Sequence, residues 1–564
     1  MKKKLLIYLL FSTLLYGDKL ELLFEGNNKI SSGELYSSLE LYEPAFYEFY
    51  IEKPSIESQT IDLITQSIKD YYKTKGFFHA DAKYTKGTKS VTIKIDEKSP
   101  IIVKNISNIS DIKSDNTIPF KTGDIFDADK FTQSKKDIKL LYANSNFCNA
   151  SIDAKAWIDI EQNEAYINYE SKKNKKCYFG KVKINAPKDI DAEIIRSLLY
   201  IDENKSFSVN KITKSYGELY ANEGISKAVI ETNVVHENIV DANVEVTQNE
   251  KPLRFEFGLG ASSDEGAMVS VGIMDRNFLG NLKTLSLKTR VAEIKQNVKL
   301  NFDMPLVERN FTGFETGYEN EKFIGFKEYK FYSVAYLKQK RAEHTFKESL
   351  LFDTINTYDS EDESLFPPVR LLIISPKLEY GFDTRDKILD PTKGYFINGE
   401  ASGSLMGALS DATYHKLRTT AGYIHSLEGS VAAFKASYGM LKLVEGDIPA
   451  SYRFFAGGMH SNRGYGYREL GPKNANGDPI GFNSILEFTA ELRFKIHGDF
   501  RGVVFNDNSY LGESSAPNYG NGYHSAGLGL RYMTPIGPIA IDFGFDVENP
   551  TKQYAVHFHI GELF

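Results

Sequence analysis

Two periodicities divide this chain. From about Pro252 onward, apolar and polar residues alternate in short runs: Leu285, Leu287 and Val291 interleave with Ser286, Lys288 and Arg290, and Ala432, Phe434, Ala436, Tyr438 and Met440 interleave with Lys435, Ser437 and Gly439. A period of two places successive side chains on opposite faces of a strand. The last run behaves likewise, with Tyr554, Val556, Phe558, Ile560 and Phe564 alternating with mostly small or polar residues. Such strands sit in lipid only when every backbone group is paired, which a closed barrel provides. Residues 251–564 therefore predict an all-β transmembrane barrel, and at about ten residues per strand plus connections they hold about 16 antiparallel strands. Asp390-Pro391-Thr392-Lys393-Gly394, Leu427-Glu428-Gly429-Ser430 and Thr534-Pro535-Ile536-Gly537-Pro538 read as turns, each rich in residues that favour turn dihedrals.

Before Glu250 the dominant period is helical. Ile61, Ile64, Ile68 and Tyr71 recur at helical spacing, Gly76 stands where a C-cap would, and Val91, Ile93 and Ile95 then alternate. The pattern returns with Phe131, Ser134, Ile138 and Leu141, and again with Ile212, Tyr216, Leu219 and Tyr220. The helix exits align at Phe77, Phe147 and Ile225, spaced by about 70 to 80 residues, which suits repeated small α+β domains rather than a solenoid.

Lys2, Lys3 and Lys4 precede a largely apolar run from Leu5 to Tyr16, which reads as a secretory leader over residues 1–17. After it no run of eighteen apolar residues occurs, so a helical membrane protein is not expected. A net charge of −7 leaves no basic field for nucleic acid. Aromatics make up 13% of the chain with a single Trp, so Tyr and Phe supply the surplus, as interfacial girdles on a barrel require.

Cys148 and Cys177 are the two cysteines. They flank two alternating runs, Ser151 to Ile158 and Glu164 to Tyr169, and stand about equally far from the turn near Gln162. A secreted context permits a disulfide across that hairpin; two independent thiols are the alternative, and two soft ligands alone do not make a metal site.

One loop stands out, Gly457-Gly458-Met459-His460-Ser461-Asn462-Arg463-Gly464-Tyr465-Gly466-Tyr467-Arg468. It lacks the Lys-Ser/Thr and following helix of a phosphate cradle. Its glycines allow close packing on a wall, and Arg463 offers a rigid donor fork that needs carboxylates if shielded. His557 and His559 are spaced to chelate, yet polar lumen positions are ordinary in a barrel, and no acid or cysteine is tied to them by spacing. No nucleophile, base and orienter stand together, so an enzyme is not expected.

The Phe24-Glu25-Gly26-Asn27 and Tyr178-Phe179-Gly180-Lys181-Val182 openings, with the repeated helix and strand order, resemble POTRA domains, here over 18–99, 100–175 and 176–250. Gly457, Gly458, Arg463, Gly464 and Tyr465 match in order the sixth extracellular loop of the BamA/TamA outer-membrane assembly superfamily. Asp275-Arg276-Asn277-Phe278-Leu279-Gly280 and Asp383-Thr384-Arg385-Asp386 also look familial. The resemblance implies Glu491 and Asp507 as acidic partners of Arg463, although Asn506, Asn508 and Ser509 depart from the family pattern beside Asp507.

With three POTRA domains the chain looks TamA-like. The resemblance then implies an outer-membrane translocation and assembly factor for unfolded outer-membrane proteins such as autotransporters. It also implies a TamB-like inner-membrane-anchored partner, contact with outer-membrane lipid, POTRA domains in the periplasm and no cofactor. A BamA-type general insertase and a two-partner secretion pore are the alternatives. Gly258 and Gly260 on the first barrel strand, with Gly561 and Phe564 on the last, mark the expected seam, since glycine weakens a strand interior.

Overall fold

The computed structural model describes residues 19–44, 52–111, 117–405, 407, 409–427, 429–534 and 537–560. The candidate leader, Glu428, Pro535, Ile536, Gly561 and Phe564 lie outside the described residues. The N-terminal region repeats one design. Strand β1 (Lys19–Glu25), helix α1 (Ser32–Ser38), β2 (Ser55–Glu57), α2 (Ile61–Thr74), β3 (Asp81–Lys86) and β4 (Ser90–Asp96) build a sheet ordered β2-β1-β4-β3, with β1 and β4 parallel. β5 (Ile102–Ser110), α3 (Ala128–Asn144), β6 (Ser151–Asp159) and β7 (Glu164–Lys172) give the order β5-β7-β6, with β5 and β7 parallel. β8 (Tyr178–Asn185), α4 (Ala192–Leu198), α5 (Val209–Ala221), β9 (Ile225–His236) and β10 (Ile239–Gln248) give β8-β10-β9.

The long helices bury a stripe turned slightly from the one their apolar residues predict. In α2 it is Ile61, Thr65, Ile68 and Tyr72, with Ile64 and Tyr71 at the margin. In α3 it is Phe131, Ser134, Ile138 and Tyr142 rather than Leu141, and in α5 Ser215 and Leu219 are buried while Tyr220 is half exposed. Each helix thus buries one serine or threonine, and each of these hydroxyls donates to its own helix: Thr65 to Ile61 O at 2.7 Å, Ser134 to Phe131 O at 2.7 Å and Ser215 to Lys211 O at 2.8 Å. A hydroxyl satisfied this way costs little to bury, so a purely apolar reading misses it. α2 and α3 also stop alike, at Gly76 (φ +91°) and Asn146 (φ +73°), the residue types best suited to a left-handed cap.

Buried Glu97 joins the turns of the first module. Its carboxylate accepts from the backbone N–H of Lys29 (2.8 Å) and from the Tyr72 hydroxyl (2.9 Å). Burial and this carboxylate push the Tyr72 phenol well above its ordinary value, so it stays a donor. Glu97→Ala orphans both donors and is expected to cost this module about 2 to 3 kcal/mol, read as lost amide-exchange protection of β4 relative to the barrel strands.

The remaining chain is a single antiparallel meander. Its strands are β11 (Leu253–Ser262), β12 (Gly266–Asp275), β13 (Thr284–Ala292), β14 (Lys295–Pro305), β15 (Asn310–Lys322), β16 (Lys327–Arg341), β17 (His344–Tyr358) and β18 (Arg370–Asp383), followed by β19 (Gly394–Ser404), β20 (Ala412–Leu427), β21 (Ser430–Gly446), β22 (Ser484–His497), β23 (Phe500–Gly512), β24 (Gly522–Tyr532), β25 (Ile539–Asp546) and β26 (Tyr554–Ile560). All sixteen belong to one sheet in sequence order. Outward positions are apolar and exposed, such as Leu528, Phe543 and Val556, while the alternate positions, such as Glu491, Asp507, Asp542 and His557, are buried toward the lumen. Two compact units result: the described chain up to Lys183 with residues 200–215 and 230–243, and residues 184–199, 216–229 and 244–560, which include the barrel.

Candidate functional site

The connection between β21 and β22, residues 447–483, folds back into the barrel. It carries its own bridges, Phe454 with Phe482 and Ala456 with Leu470, and packs Phe454, Tyr465, Leu470 and Phe482 against Tyr414, Leu441, Ile485 and Leu511 of the wall. The glycines permit this approach. Gly457 (φ +97°) and Gly458 (φ +102°) adopt left-handed backbone, and a Cβ on Gly464 would stand 2.6 Å from Ser525 Cβ. The wall answers with its own glycine, Gly544, where a Cβ would stand 2.2 Å from Arg463 O. Loop and wall therefore touch backbone to backbone, and Tyr465 meets Tyr523 edge-on at 5.7 Å.

This approach delivers Arg463, fully buried, to three carboxylates. Its Nε and Nη2 donate to Asp507 at 2.8 and 2.9 Å, and its backbone N–H donates to the same side chain at 3.1 Å. Nη1 donates to Glu491 at 2.5 Å and to Asp542 at 3.3 Å. The guanidinium also lies 3.5 Å from the Phe505 ring centroid, so donors fill its edge and an aromatic face covers its plane. Two further arginines balance the charge: Arg493 donates to Glu491 at 3.1 Å and Arg531 to Asp542 at 2.5 Å. Three guanidiniums against three carboxylates make a neutral buried network, the condition under which ions tolerate a low-dielectric site.

Glu491 and Asp507 thus lie beside Arg463 on β22 and β23. Asn506 and Asn508 point to the outer face, and Ser509 lies 3.4 Å from Asn462 of the loop, so these departures leave Asp507 facing the lumen. Sequence reasoning did not single out Asp542, Arg531 or Arg493. The available signal was charge on inward positions of otherwise apolar strands, in Ile539-Ala540-Ile541-Asp542-Phe543 above all. His557 and His559 belong to the same cluster: His557 Nε2 lies 3.2 Å from Arg463 O and His559 Nε2 lies 3.4 Å from Asp542.

Arg468 is a second anchor. It donates to Glu321 on β15 at 2.5 Å and stacks 4.2 Å from the Phe323 ring centroid, but its side chain retains 19% exposure against 1% for Arg463.

At the seam, β11 and β26 share no strand ladder among the described residues. The bonds that cross it gather at Ser263, just past β11: its N–H donates to Phe558 O at 3.1 Å and its Oγ accepts from Phe558 N–H at 3.4 Å. Gly258 and Gly260 lie on β11 beside Ser270 and Met268 of β12, and the outward Phe255, Phe257 and Leu259 are each at least 70% exposed.

Cys148 and Cys177 are bonded, with Cα atoms 5.8 Å apart. The bond sits at the joint between the second and third modules rather than within one of them. Cys177 N–H donates to Asn146 O at 2.7 Å, while Cys177 O accepts from Phe207 N–H at 3.0 Å.

Comparison with known proteins places this architecture. Residues 370–564 match the Omp85 superfamily domain, and residues 21–98 and 99–173 each match the POTRA repeat, described as a surface antigen variable number repeat. The chain is 20% identical to outer membrane protein assembly factor BamA of Neisseria meningitidis, over 96% of this chain and 77% of that one. It is 24% identical to BamA of Nitratidesulfovibrio vulgaris over 76% of this chain, but spans only 57% of that relative. The crystal structure of Haemophilus ducreyi BamA lacking POTRA domains 1–3 superposes with a TM-score of 0.56 at 18% identity, covering 82% of this chain and 99% of that one. Meander, repeats and matches agree: the chain belongs to the Omp85 superfamily, as a BamA/TamA-type barrel of the outer membrane with its POTRA domains in the periplasm.

Proposed function

We propose that this protein assembles other outer-membrane proteins, and that it does so as a TamA-like factor working on unfolded clients such as autotransporters, with a TamB-like inner-membrane-anchored partner. On this reading residues 100–175 and 176–250 are the second and third POTRA domains after 18–99, and their sheet edges receive extended clients by strand addition. The observation that carries the proposal is the seam. A client strand entering lipid must exchange its backbone hydrogen bonds without a water-exposed stage in the bilayer core, and an edge with no ladder among the described residues is where that exchange starts most easily. Membership of an assembly superfamily supports the same role, and the three-module count favours the TamA-like branch over a general insertase.

The test is to close the seam. Cysteine pairs scanned across β11 and β26 are expected to include one whose disulfide stops assembly of a reporter outer-membrane protein and whose reduction restores it. A control pair locking β20 to β21, already joined by a long ladder, should be tolerated. Full assembly with the seam demonstrably cross-linked would reject lateral insertion and favour transport through the lumen, the secretion-pore alternative.

A further inference from the structure

The first hairpin, the last strand and the lumen loop meet at one side chain. Asp264, in the turn between β11 and β12, is buried and accepts from the backbone N–H of Met459 in the loop at 3.1 Å. Its carboxylate also explains Gly458, because a Cβ there would stand 2.7 Å from Asp264 Oδ2. On the other side His557 of β26 places Nδ1 3.5 Å from Asp264 Oδ1 and 3.2 Å from Ser263 Oγ. Its Nε2 faces the carbonyl of Arg463, which can only accept, so Nε2 carries the proton. The Ser263 hydroxyl lies between Nδ1 and the carboxylate, 3.2 Å from the first and 3.4 Å from Asp264 Oδ1, with one proton to share between them.

We infer that Asp264 and His557 are positioning residues that latch the seam to the loop, so that the first hairpin leaves the last strand only when the loop lifts from the wall. The seam has no ladder among its described residues, and what crosses it runs through Ser263, Asp264 and His557. Two of these contacts end on loop backbone, at Met459 N–H and Arg463 O. Withdrawal of Arg463 from its carboxylates therefore removes the loop's donor to Asp264 and its acceptor for His557 in one movement. A few isolated bonds, among them the backbone pair of Ser263 N–H and Phe558 O, release more readily than a ladder, so the latch can reopen without melting a strand. This inference rests on the proposed reading of the seam, and its test separates the two.

The full-length protein in lipid vesicles, spin-labelled at Ala267→Cys and Gln553→Cys, reports the seam distance without any client. Asp264→Ala and His557→Phe are each expected to raise the open population about fivefold or more, and neither should add to the opening caused by Arg463→Ala, because coupled groups are non-additive. Asp264→Asn keeps an acceptor for Met459 N–H and should largely restore closure, a rescue that lost bulk stability would not show. Should Asp264→Ala fail to insert, His557→Phe and Asp264→Asn carry the comparison. An unchanged distance distribution in the folded variants, or effects that add to Arg463→Ala, overturns the latch. A seam that opens in Asp264→Ala while reporter assembly is unaltered upholds the latch and instead sinks the assembly role proposed for the seam.

Discussion

Arg463→Ala is expected to destabilise the seated loop by about 3 to 5 kcal/mol, the scale for removing one partner of a fully buried ion network. The residue left worst off is identifiable. Glu491 keeps Arg493 and Asp542 keeps Arg531, whereas Asp507 loses both guanidinium donors described above and, of its three bonds to Arg463, retains the one from the backbone N–H, which carries no compensating charge. If the orphaned carboxylate dominates, then Arg463→Ala with Asp507→Asn should be less damaging than Arg463→Ala alone, although it removes more of the network. Arg463→Lys should also fail, since one ammonium cannot span carboxylates on three strands as the planar fork does. Arg468→Ala should cost less, about 1 to 2 kcal/mol, because its side chain is partly exposed and it pairs with a single carboxylate, Glu321. Protease sensitivity of residues 447–483 in the folded barrel reads all four variants. Equal, near-wild-type protection in Arg463→Ala and Arg468→Ala would dispose of the network's role in seating the loop.

Loss of the Cys148–Cys177 bond should be nearly as costly. It closes a sequence separation of 29 residues, and loops of this size are worth about 3 to 4 kcal/mol in the chain-entropy account. The position changes which unfolding step is affected. The bond links the exit of α3 to the start of β8, so Cys148→Ala with Cys177→Ala should loosen the joint between modules before it melts either sheet. Amide exchange is expected to quicken around Asn146, Cys177 and Phe207 while β7 stays protected. The non-reduced, unfolded chain should present no titratable thiol, and finding two would eliminate the staple.

Period-two alternation specified a lipid-facing barrel of sixteen strands because each strand's register is fixed locally, by which face is apolar. Helical spacing with a cap residue after it specified the repeated modules for the same reason: the information lies within one turn of the chain. Glycine and arginine in the loop were legible as residues that need a close wall and anionic partners. Tertiary structure decided the rest. That Asp542 joins Glu491 and Asp507 follows from all three facing the lumen where the loop brings Arg463; the inward charge on β25 was visible in the sequence, but the partner 79 residues away was not. The same holds for Asp264, 195 residues from Met459, and for His557, a lumen residue in sequence that becomes a contact between both barrel ends and the loop. Ser134 was legible on its helix face, but the buried Thr65 and Ser215 escape an apolar pattern because their satisfaction comes from backbone carbonyls that carry no sequence signature. The chain's local pattern thus determined which elements form and which faces meet lipid, while closure of the barrel determined which charges meet, because only closure brings distant strands to a common lumen.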